Sequence, residues 1–456
     1  MLPGVPLKTL FVKKRKLIII SDLHIGGDDI IEDFSCEAEL IGFLTKKHDK
    51  DSDLELLILG DFLDLWKVEN DAREQVRYVI KQHKKLFNAF KTFGENHTIT
   101  VIPGNHDHAL AYNVKYQQDL AEYNITVEPH QYVKRIFSHK ENTFTVIGEH
   151  GNQVEPATKF PQFDLPTDSS LAYHINKILV YKLMRMGNEK KSPYWLRDLD
   201  SIDTELIPYW VLSKYFYYEL GPILKAILIP MLVLFGFAVP YFIFDLVTEF
   251  YQPQFIKPFL LLLDTNTFFK VLIFLLYFDM VVVILVVIIW FIKREFRKRL
   301  REYGIHSFSE ILVSRYHAYK KRAHEILRGN NAFGIPANLY VTGHTHVAGF
   351  HTLKESGKLF VDSGSWKQLM KRINARFRFP SVYAPYYALS YVTIEQKGDD
   401  VTVRLKVWPK TFKAKLTVLE RFVVKWKHVP RSVTKDTLIE EHHIQLSKAS
   451  NEKYED

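Results

Sequence analysis

The chain reads Leu-Ile-Ile-Ile-Ser-Asp-Leu-His over residues 17–24, an apolar run that stops abruptly at a polar turn. Four consecutive large apolar side chains predict a buried β-strand. Similar short runs, each ended by a polar or glycine-containing turn, occupy residues 54–60 and 98–102. Helical periodicity over residues 36–47 and 71–93 separates these runs. Strands that alternate with helices indicate an α/β fold.

More strands are predicted later in the chain. Residues 143–148, 339–343 and 358–362 each form a short run rich in apolar and β-branched side chains. Residues 388–395 and 400–408 are two such runs separated by a glycine-containing turn, which predicts a β-hairpin.

The composition is that of a globular protein, with 456 residues of which 47% are hydrophobic and 25% are charged. It excludes a collagen-like, coiled-coil or disordered chain, and the length predicts two or three folding units. Cys36 is the only cysteine in the sequence, which excludes an intrachain disulfide and a cysteine-based zinc site. The net charge of +9 favours anionic partners such as nucleic acid, phosphorylated substrates or an anionic membrane surface.

Two long apolar stretches interrupt the α/β pattern. Residues 226–244 carry no charge, and residues 271–292 carry only Asp279. As helices they would be about 28 and 33 Å long, close to the roughly 30 Å core of a bilayer. Six lysines and arginines follow between residues 293 and 301, which is a positive-inside signal. We therefore expect two spans of the inner or plasma membrane, with the flanking regions in the cytoplasm. A hairpin that does not cross the bilayer and ordinary buried core helices are the alternatives.

Five short polar motifs fall at or just after predicted strand ends, the edge at which open α/β sheets bind ligands. The motifs are Asp22-Leu23-His24, Gly60-Asp61-Phe62-Leu63-Asp64, Gly104-Asn105-His106-Asp107, His150-Gly151 and Gly343-His344-Thr345-His346. They supply seven candidate metal ligands, namely Asp22, His24, Asp61, Asn105, His150, His344 and His346. Residues two apart in an extended segment project to the same side, which explains the spacing of the ligand pairs. Mixed carboxylate, amide and imidazole ligands suit divalent ions such as Mn²⁺, Fe²⁺ or Zn²⁺.

In this order, the five motifs resemble those of the calcineurin-like metallophosphoesterase superfamily. The resemblance covers residues 1–155 and 335–410, which would form one metallophosphoesterase domain in two parts. It implies an α/β fold in which a β-sandwich is flanked by helices, as αββα layers. Residues 156–334 would be a helical insertion that contains the apolar segments 226–244 and 271–292, and residues 411–456 would be a polar C-terminal extension.

The resemblance also implies a pair of metal ions, with manganese expected and iron or zinc as alternatives. One ion would be held by Asp22, His24, Asp61 and His346. The second would be held by Asp61, Asn105, His150 and His344, so that Asp61 bridges the pair. A metal-bridging hydroxide would attack the phosphorus in line. His106 matches the superfamily's catalytic histidine, and Asp64 matches the carboxylate that orients it. Asp107 is expected to hold the turn.

The motifs specify the identity of the substrate less closely than they specify the metal ligands. Phosphoprotein phosphatases of the superfamily carry an arginine where this chain has Leu65-Trp66. The first two motifs look more like those of bacterial UDP-2,3-diacylglucosamine pyrophosphatases, which cleave a lipid-carrying nucleotide at the inner membrane surface. The chain departs from that branch at His106, where arginine is usual, at Asn152, where aspartate is usual, and in its longer insertion.

These features predict a membrane-associated phosphohydrolase with two metal ions, acting on a lipid-linked phosphoester or pyrophosphate. One alternative is a membrane-tethered phosphodiesterase or phosphatase for soluble nucleotides or nucleic acid, although the sequence contains no recognisable nucleic-acid-binding motif. The other alternative is a membrane scaffold that binds metal without turnover.

Overall fold

A computed structural model gives the fold. It describes residues 16–27, 31, 34–48, 53–69, 74–163, 165, 169–187, 193–202, 206–219, 265–302, 308–353, 358–376 and 379–448, together with scattered residues between 233 and 261.

The strands follow the apolar runs of the sequence. They are β1 (Lys16–Ile20), β2 (Leu54–Leu59), β3 (Thr98–Ile102), β4 (Ile125–Val127), β5 (Tyr132–His139), β6 (Asn142–Glu149), β7 (Leu339–Thr342), β8 (Gly349–Leu353), β9 (Lys358–Asp362), β10 (Gln368–Ile373), β11 (Val382–Tyr387), β12 (Leu389–Lys397), β13 (Asp400–Trp408), β14 (Thr437–Gln445) and β15 (Ser447–Lys448).

The α-helices within the described residues lie between and after these strands. They are α1 (Glu37–Lys47), α2 (Gln75–Gln82), α3 (Lys84–Gly94), α4 (Val114–Ala121), α5 (Leu171–Ile175), α6 (Tyr181–Met186), α7 (Ile207–Lys214), α8 (Thr267–Glu302), α9 (Phe308–Arg328) and α10 (Val418–Val423).

Two main sheets form a sandwich. The first has the order β14-β13-β12-β1-β2-β3-β4, in which β1 to β4 pair in parallel and the remaining pairs are antiparallel. The second runs β6-β7-β9-β8, and β5 and the short β15 both pair with β6. In this sheet β6, β7 and β9 are parallel. The antiparallel pairing of β12 with β13 confirms the predicted hairpin.

The burial of β1 shows how the layers are held together. Leu17 and Ile19 belong to the apolar cluster that both sheets share, whereas Ile18 and Ile20 pack in the cluster that includes α1 to α4. Successive side chains of a strand point to opposite faces, so a strand with layers on both sides needs a continuous apolar run. A third cluster packs α9 against the outer face of the second sheet. This arrangement of helices, two sheets and helices confirms the α/β sandwich.

The chain forms two compact units. The first comprises residues 1–213 and 314–456, and the second comprises residues 214–313. Both sheets and all five motifs therefore lie in the first unit. Residues beyond 410 take part in both sheets, because β14 is the edge strand of the first and β15 pairs with β6 of the second.

The prediction of two membrane spans is not supported by the structure. Residues 226–244 lie largely outside the described residues. Residues 271–292 fall within α8, a helix of 36 residues. Across the part of the chain that the structure describes, no helix is both long enough and apolar enough to cross a membrane.

Candidate metal centre

The five motifs meet at one edge of the sandwich. Those that contain Asp22, Asp61 and Asn105 follow the carboxyl ends of β1, β2 and β3 in the first sheet. Those that contain His150 and His344 follow β6 and β7 in the second sheet. Parallel strands bring their carboxyl ends to the same edge, so residues that are more than 300 positions apart become neighbours.

The predicted ligands form two groups whose ligand atoms lie within 4.8 Å of one another. These groups are Asp22, His24 and His346, and Asp61, His150 and His344. His346 Nε2 lies 3.2 Å from Asp22 Oδ1, and His150 Nε2 lies 3.2 Å from Asp61 Oδ2. The groups adjoin, since His24 Nε2 is 3.6 Å from Asp61 Oδ2.

Asn105 lies at the second group, as the sequence predicted. Its Oδ1 is 3.1 Å from His150 Nε2, which in turn is 3.3 Å from His344 Nδ1. The structure therefore brings all seven predicted ligands into one pair of adjoining groups.

The donors in the first group fit a cation. Asp22 Oδ1 and both ring nitrogens of His24 are buried and have no hydrogen-bond partner among the described residues. Buried polar atoms without a partner are costly, and a metal ion would satisfy them. Two carboxylates, an amide oxygen and imidazoles form a donor set that divalent ions accept.

The backbone is strained where it presents these ligands. Five of the seven predicted ligands have positive φ, namely Asp22 at 54°, His24 at 50°, Asp61 at 48°, His344 at 67° and His346 at 61°. Non-glycine residues in this region cost on the order of 1–3 kcal/mol each, and such strain concentrates at functional sites.

Electrostatics at the site favour added positive charge. Burial opposes the charged form of His150, yet Asp61 and Asp22 raise its pKa to about 10. Burial likewise disfavours the Asp61 carboxylate, but His150 and His106 hold its pKa well below the ordinary value. The carboxylates thus remain ionised and attract cations. Burial, with Lys367 nearby, lowers the pKa of His24 to about 3, so this imidazole is neutral at neutral pH, whereas His150 would have to release a proton when a metal ion binds.

His106 lies beside the ligands and is held on two sides. Its Nδ1 is 2.8 Å from Asp64 Oδ1, and its backbone N–H donates to Asp61 Oδ1 at 2.8 Å. The Trp66 ring stacks on the imidazole, with 3.9 Å between ring centroids. Burial disfavours the imidazolium, but Asp64 and Asp61 outweigh it and raise the pKa of His106. The ring can therefore carry and release a proton.

Asp107 holds the turn, as expected from the sequence. Its Oδ1 accepts from the Gly104 N–H at 2.7 Å, and its Oδ2 accepts from the Phe62 and Leu63 N–H groups at 2.8 and 3.1 Å. One carboxylate therefore connects the second and third motifs.

Comparison with known proteins agrees with this geometry. Residues 15–221 match the family model described as calcineurin-like phosphoesterase. This match assigns residues 15–221, just under half of the chain, to the calcineurin-like phosphoesterases. Members of this family are metal-dependent hydrolases of phosphoester bonds with a dinuclear divalent metal centre, and the two ligand groups supply the corresponding donors. No curated relative matches the chain.

Two further side chains near His344, Thr158 and Glu155, were missed by the sequence reasoning. Thr158 Oγ1 lies 3.2 Å from His344 Nε2, and Glu155 Oε2 lies 3.8 Å from the same nitrogen. Because His344 Nδ1 points to the ligand group, these side chains lie behind the imidazole and orient it. Glu155 is itself held by Arg315 and by the Tyr319 hydroxyl. Only their nearness to the His150 motif could have drawn attention to Glu155 and Thr158.

A second missed set surrounds Asp64. Lys67 Nζ is 3.1 Å from Asp64 Oδ2 and donates to Asp200 Oδ2 at 2.9 Å. Lys367 Nζ donates to the same Asp200 oxygen at 3.3 Å. Lys67 could have been suspected, since it lies three residues after Asp64. Nothing in the sequence pairs residues 200 and 367.

A cavity of about 230 Å³ adjoins the ligands of the phosphoesterase. Part of its lining is polar and comes from Asp61, Asn105, His106, His344 and His346. The rest combines an apolar part with further polar groups. The apolar part comes from Trp66, Ala157, Ala172, Ile175, Val180, Leu199, Ile202, Ile207 and Leu369, and the polar groups belong to Glu155, Thr158, Asn176, Asp200, Ser201, Arg315 and Lys367. The site is therefore amphiphilic.

Proposed function

We propose that this phosphoesterase hydrolyses a lipid-linked phosphoester or pyrophosphate at a membrane surface, with Mn²⁺ as its metal. The observation that carries the proposal is the cavity, in which metal-ligand side chains and an apolar lining occur together. A phosphate ester of an apolar alcohol matches both parts of this lining.

The reacting end of the substrate would lie at the ligand groups. Two divalent ions, when bound there, supply Lewis-acid activation of water and neutralise phosphate charge. Asp22, His24, Asp61 and His346 would hold one ion, and Asp61, Asn105, His150 and His344 would hold the other.

His106 is suited to donate a proton to the leaving oxygen. Its Nδ1 is engaged by Asp64 at 2.8 Å, which leaves Nε2 as the nitrogen that can donate. His106 lines the cavity, so a leaving group there can reach it. Such general acid catalysis contributes roughly 10²- to 10⁴-fold to a rate.

The apolar lining supports a lipid-bearing leaving group. Each square ångström of apolar surface that leaves water contributes about 25 cal/mol. A hydrocarbon segment against Ile175, Val180 and Leu199 would therefore bind more tightly than a soluble headgroup alone.

Association with a membrane is supported by the exposed surface of α8. Within the second unit, Phe268, Val271, Phe274, Phe278 and Val281 are 53–70% exposed. Their spacing of three and four residues places them along one side of the helix. Contiguous exposed apolar surface commonly marks a site of contact with a membrane or a protein partner.

The test compares a lipid-linked pyrophosphate with the same headgroup lacking the lipid, using Mn²⁺-loaded full-length protein. We expect release confined to, or much faster from, the lipid substrate, and loss of release in Asp61→Asn. Asp399→Asn is the matched control, because Asp399 is half-exposed and pairs with His139 away from the site.

Equal release from both substrates would contradict the lipid proposal and favour the alternative of a soluble nucleotide substrate. Full turnover by Asp61→Asn would contradict the assignment of the metal ligands. If wild-type protein bound Mn²⁺ but hydrolysed no phosphoester, the hydrolase proposal itself would be wrong.

A further inference from the structure

A buried cluster of charge lies behind the catalytic histidine. We define the lysine pair as Lys67 and Lys367, whose ammonium groups both donate to Asp200 Oδ2, at 2.9 and 3.3 Å. The side chains of Lys67, Lys367 and Asp200 are 0%, 4% and 11% exposed. Burying a charged group costs free energy of solvation, so three buried charges beside a cavity indicate a functional role.

Each of the two carboxylates beside the lysine pair contacts two basic side chains. Asp64 lies 3.1 Å from Lys67 but also holds His106 at 2.8 Å. Asp200 accepts a hydrogen bond from Lys67 and another from Lys367.

Lys367 occupies a fixed place relative to the metal ligands. The preceding residue, Trp366, donates its backbone N–H to the Asp22 carbonyl at 3.1 Å. Its indole N–H donates to the Ser390 carbonyl at 2.8 Å, and the ring is fully buried. Lys367 itself lines the cavity together with Asp61, His106 and His346.

We propose that Lys367 binds a non-reacting oxygen of the substrate phosphate and that Asp200 is the positioning residue that holds its ammonium at the cavity. The proposal rests on the phosphoesterase function proposed above. A compact ammonium with three donors can give one hydrogen bond to Asp200 and still contact a phosphate oxygen. The segment 194–201 would then help to complete the phosphate site.

Asp200 is well placed to position a side chain. It lies in the 3₁₀ helix Tyr194–Ser201, which is anchored by the buried side chains of Trp195 and Leu199. Burial raises and the two lysines lower the pKa of Asp200, and the net effect keeps it well below the ordinary value, so the carboxylate stays charged.

The experiment measures inorganic phosphate binding to Mn²⁺-loaded full-length protein by calorimetry, with KM, kcat and metal content determined in parallel. Lys367→Met should weaken phosphate binding and raise KM by roughly 10- to 100-fold with unchanged metal content, because a hydrogen bond to a charged group is lost. Lys367→Arg should recover part of the affinity. Asp200→Ala should weaken phosphate binding less than Lys367→Met does.

Lys47→Met is the matched control. Its ammonium also bonds to an aspartate in a partly buried setting, with Asp436 at 3.3 Å and the Tyr391 hydroxyl at 2.9 Å, and it does not line the cavity. It should leave phosphate affinity at the wild-type value.

Wild-type phosphate affinity in Lys367→Met would overturn the phosphate contact. Tighter phosphate binding in Asp200→Ala would overturn its positioning role, since Asp200 would then compete with the substrate. Calorimetry needs no turnover, so failure of this inference is distinguishable from failure of the hydrolase proposal.

Discussion

Gly104 is the position at which one added methyl group should disable the metal centre. An alanine Cβ at this position would lie 2.2 Å from Asp61 Oδ1 and 2.5 Å from the Asp61 backbone nitrogen. Real Cβ atoms do not approach other heavy atoms closer than 3.0 Å. The Asp61 carboxylate must therefore move by about 0.8 Å, several times the roughly 0.2 Å within which ligand distances of a metal site are held.

The expected result for Gly104→Ala is a large loss of bound metal and of turnover, because Asp61 is the predicted bridging ligand. Overpacking against the Asp61 backbone should also cost about 1–3 kcal/mol of folding free energy. Metal content per chain, turnover and the thermal midpoint of the metal-free protein would be measured together. The midpoint establishes that the variant folds.

Gly42→Ala provides the control. Gly42 lies within α1, and nothing approaches its position within 4 Å. The substitution should leave metal content unchanged and stabilise the helix by roughly 0.5–1 kcal/mol. A folded Gly104→Ala protein with wild-type metal content and turnover would refute the reasoning, because Asp61 could then move without consequence.

Three further substitutions test other parts of the site and fold. Trp66→Leu removes the ring stacked on His106, the proposed general acid, and should lower kcat about 2- to 30-fold without loss of metal. Glu155→Gln removes the charge behind His344 and should weaken binding of one metal ion about 10-fold, as measured by titration. Arg135 of β5 and Glu55 of β2 form an ion pair between the two sheets, with 2.7 Å between Nη2 and Oε1. Arg135→Met removes the guanidinium from the buried carboxylate and should lower the free energy of unfolding, measured with denaturant, by about 3–5 kcal/mol.

Each of these predictions has a contrary outcome. Metal loss in Trp66→Leu would show that the ring supports the ligands rather than the histidine. Unchanged metal affinity in Glu155→Gln would show that the charge of Glu155 is not needed to orient His344, and that the Thr158 contact is sufficient. Wild-type stability of Arg135→Met would mean that water or Glu128 relaxation relieves the buried carboxylate.

The sequence predicted the sandwich and singled out the seven residues that the structure brings together, because both are visible as local patterns. The four-residue apolar run Leu17–Ile20, which stops just before Ser21-Asp22, can be recognised without knowing its partner strands, and each motif has its own spacing. The contact between Lys367 and Asp200 could not be predicted in this way. It depends on the tertiary position of the segment Tyr194–Ser201, which no local pattern specifies. Strand β14 was missed for a similar reason. Most of its side chains are exposed or half-buried, so its sequence does not contain the apolar run that identifies a buried strand.

The ligand set also sets an order of events during synthesis. Asp22, His24, Asp61 and Asn105 follow strands of the first sheet, whereas His150, His344 and His346 follow strands of the second. Each ligand group contains residues from both sheets. Its last member follows the others by more than 300 residues in the first group (His24 to His346) and by nearly 200 in the second (His150 to His344). In a nascent chain, therefore, the two ligand groups cannot both be complete until residue 346 has left the ribosome and the strands of the second sheet have packed against the first. Acquisition of metal would then report that the strands preceding the five motifs have come together.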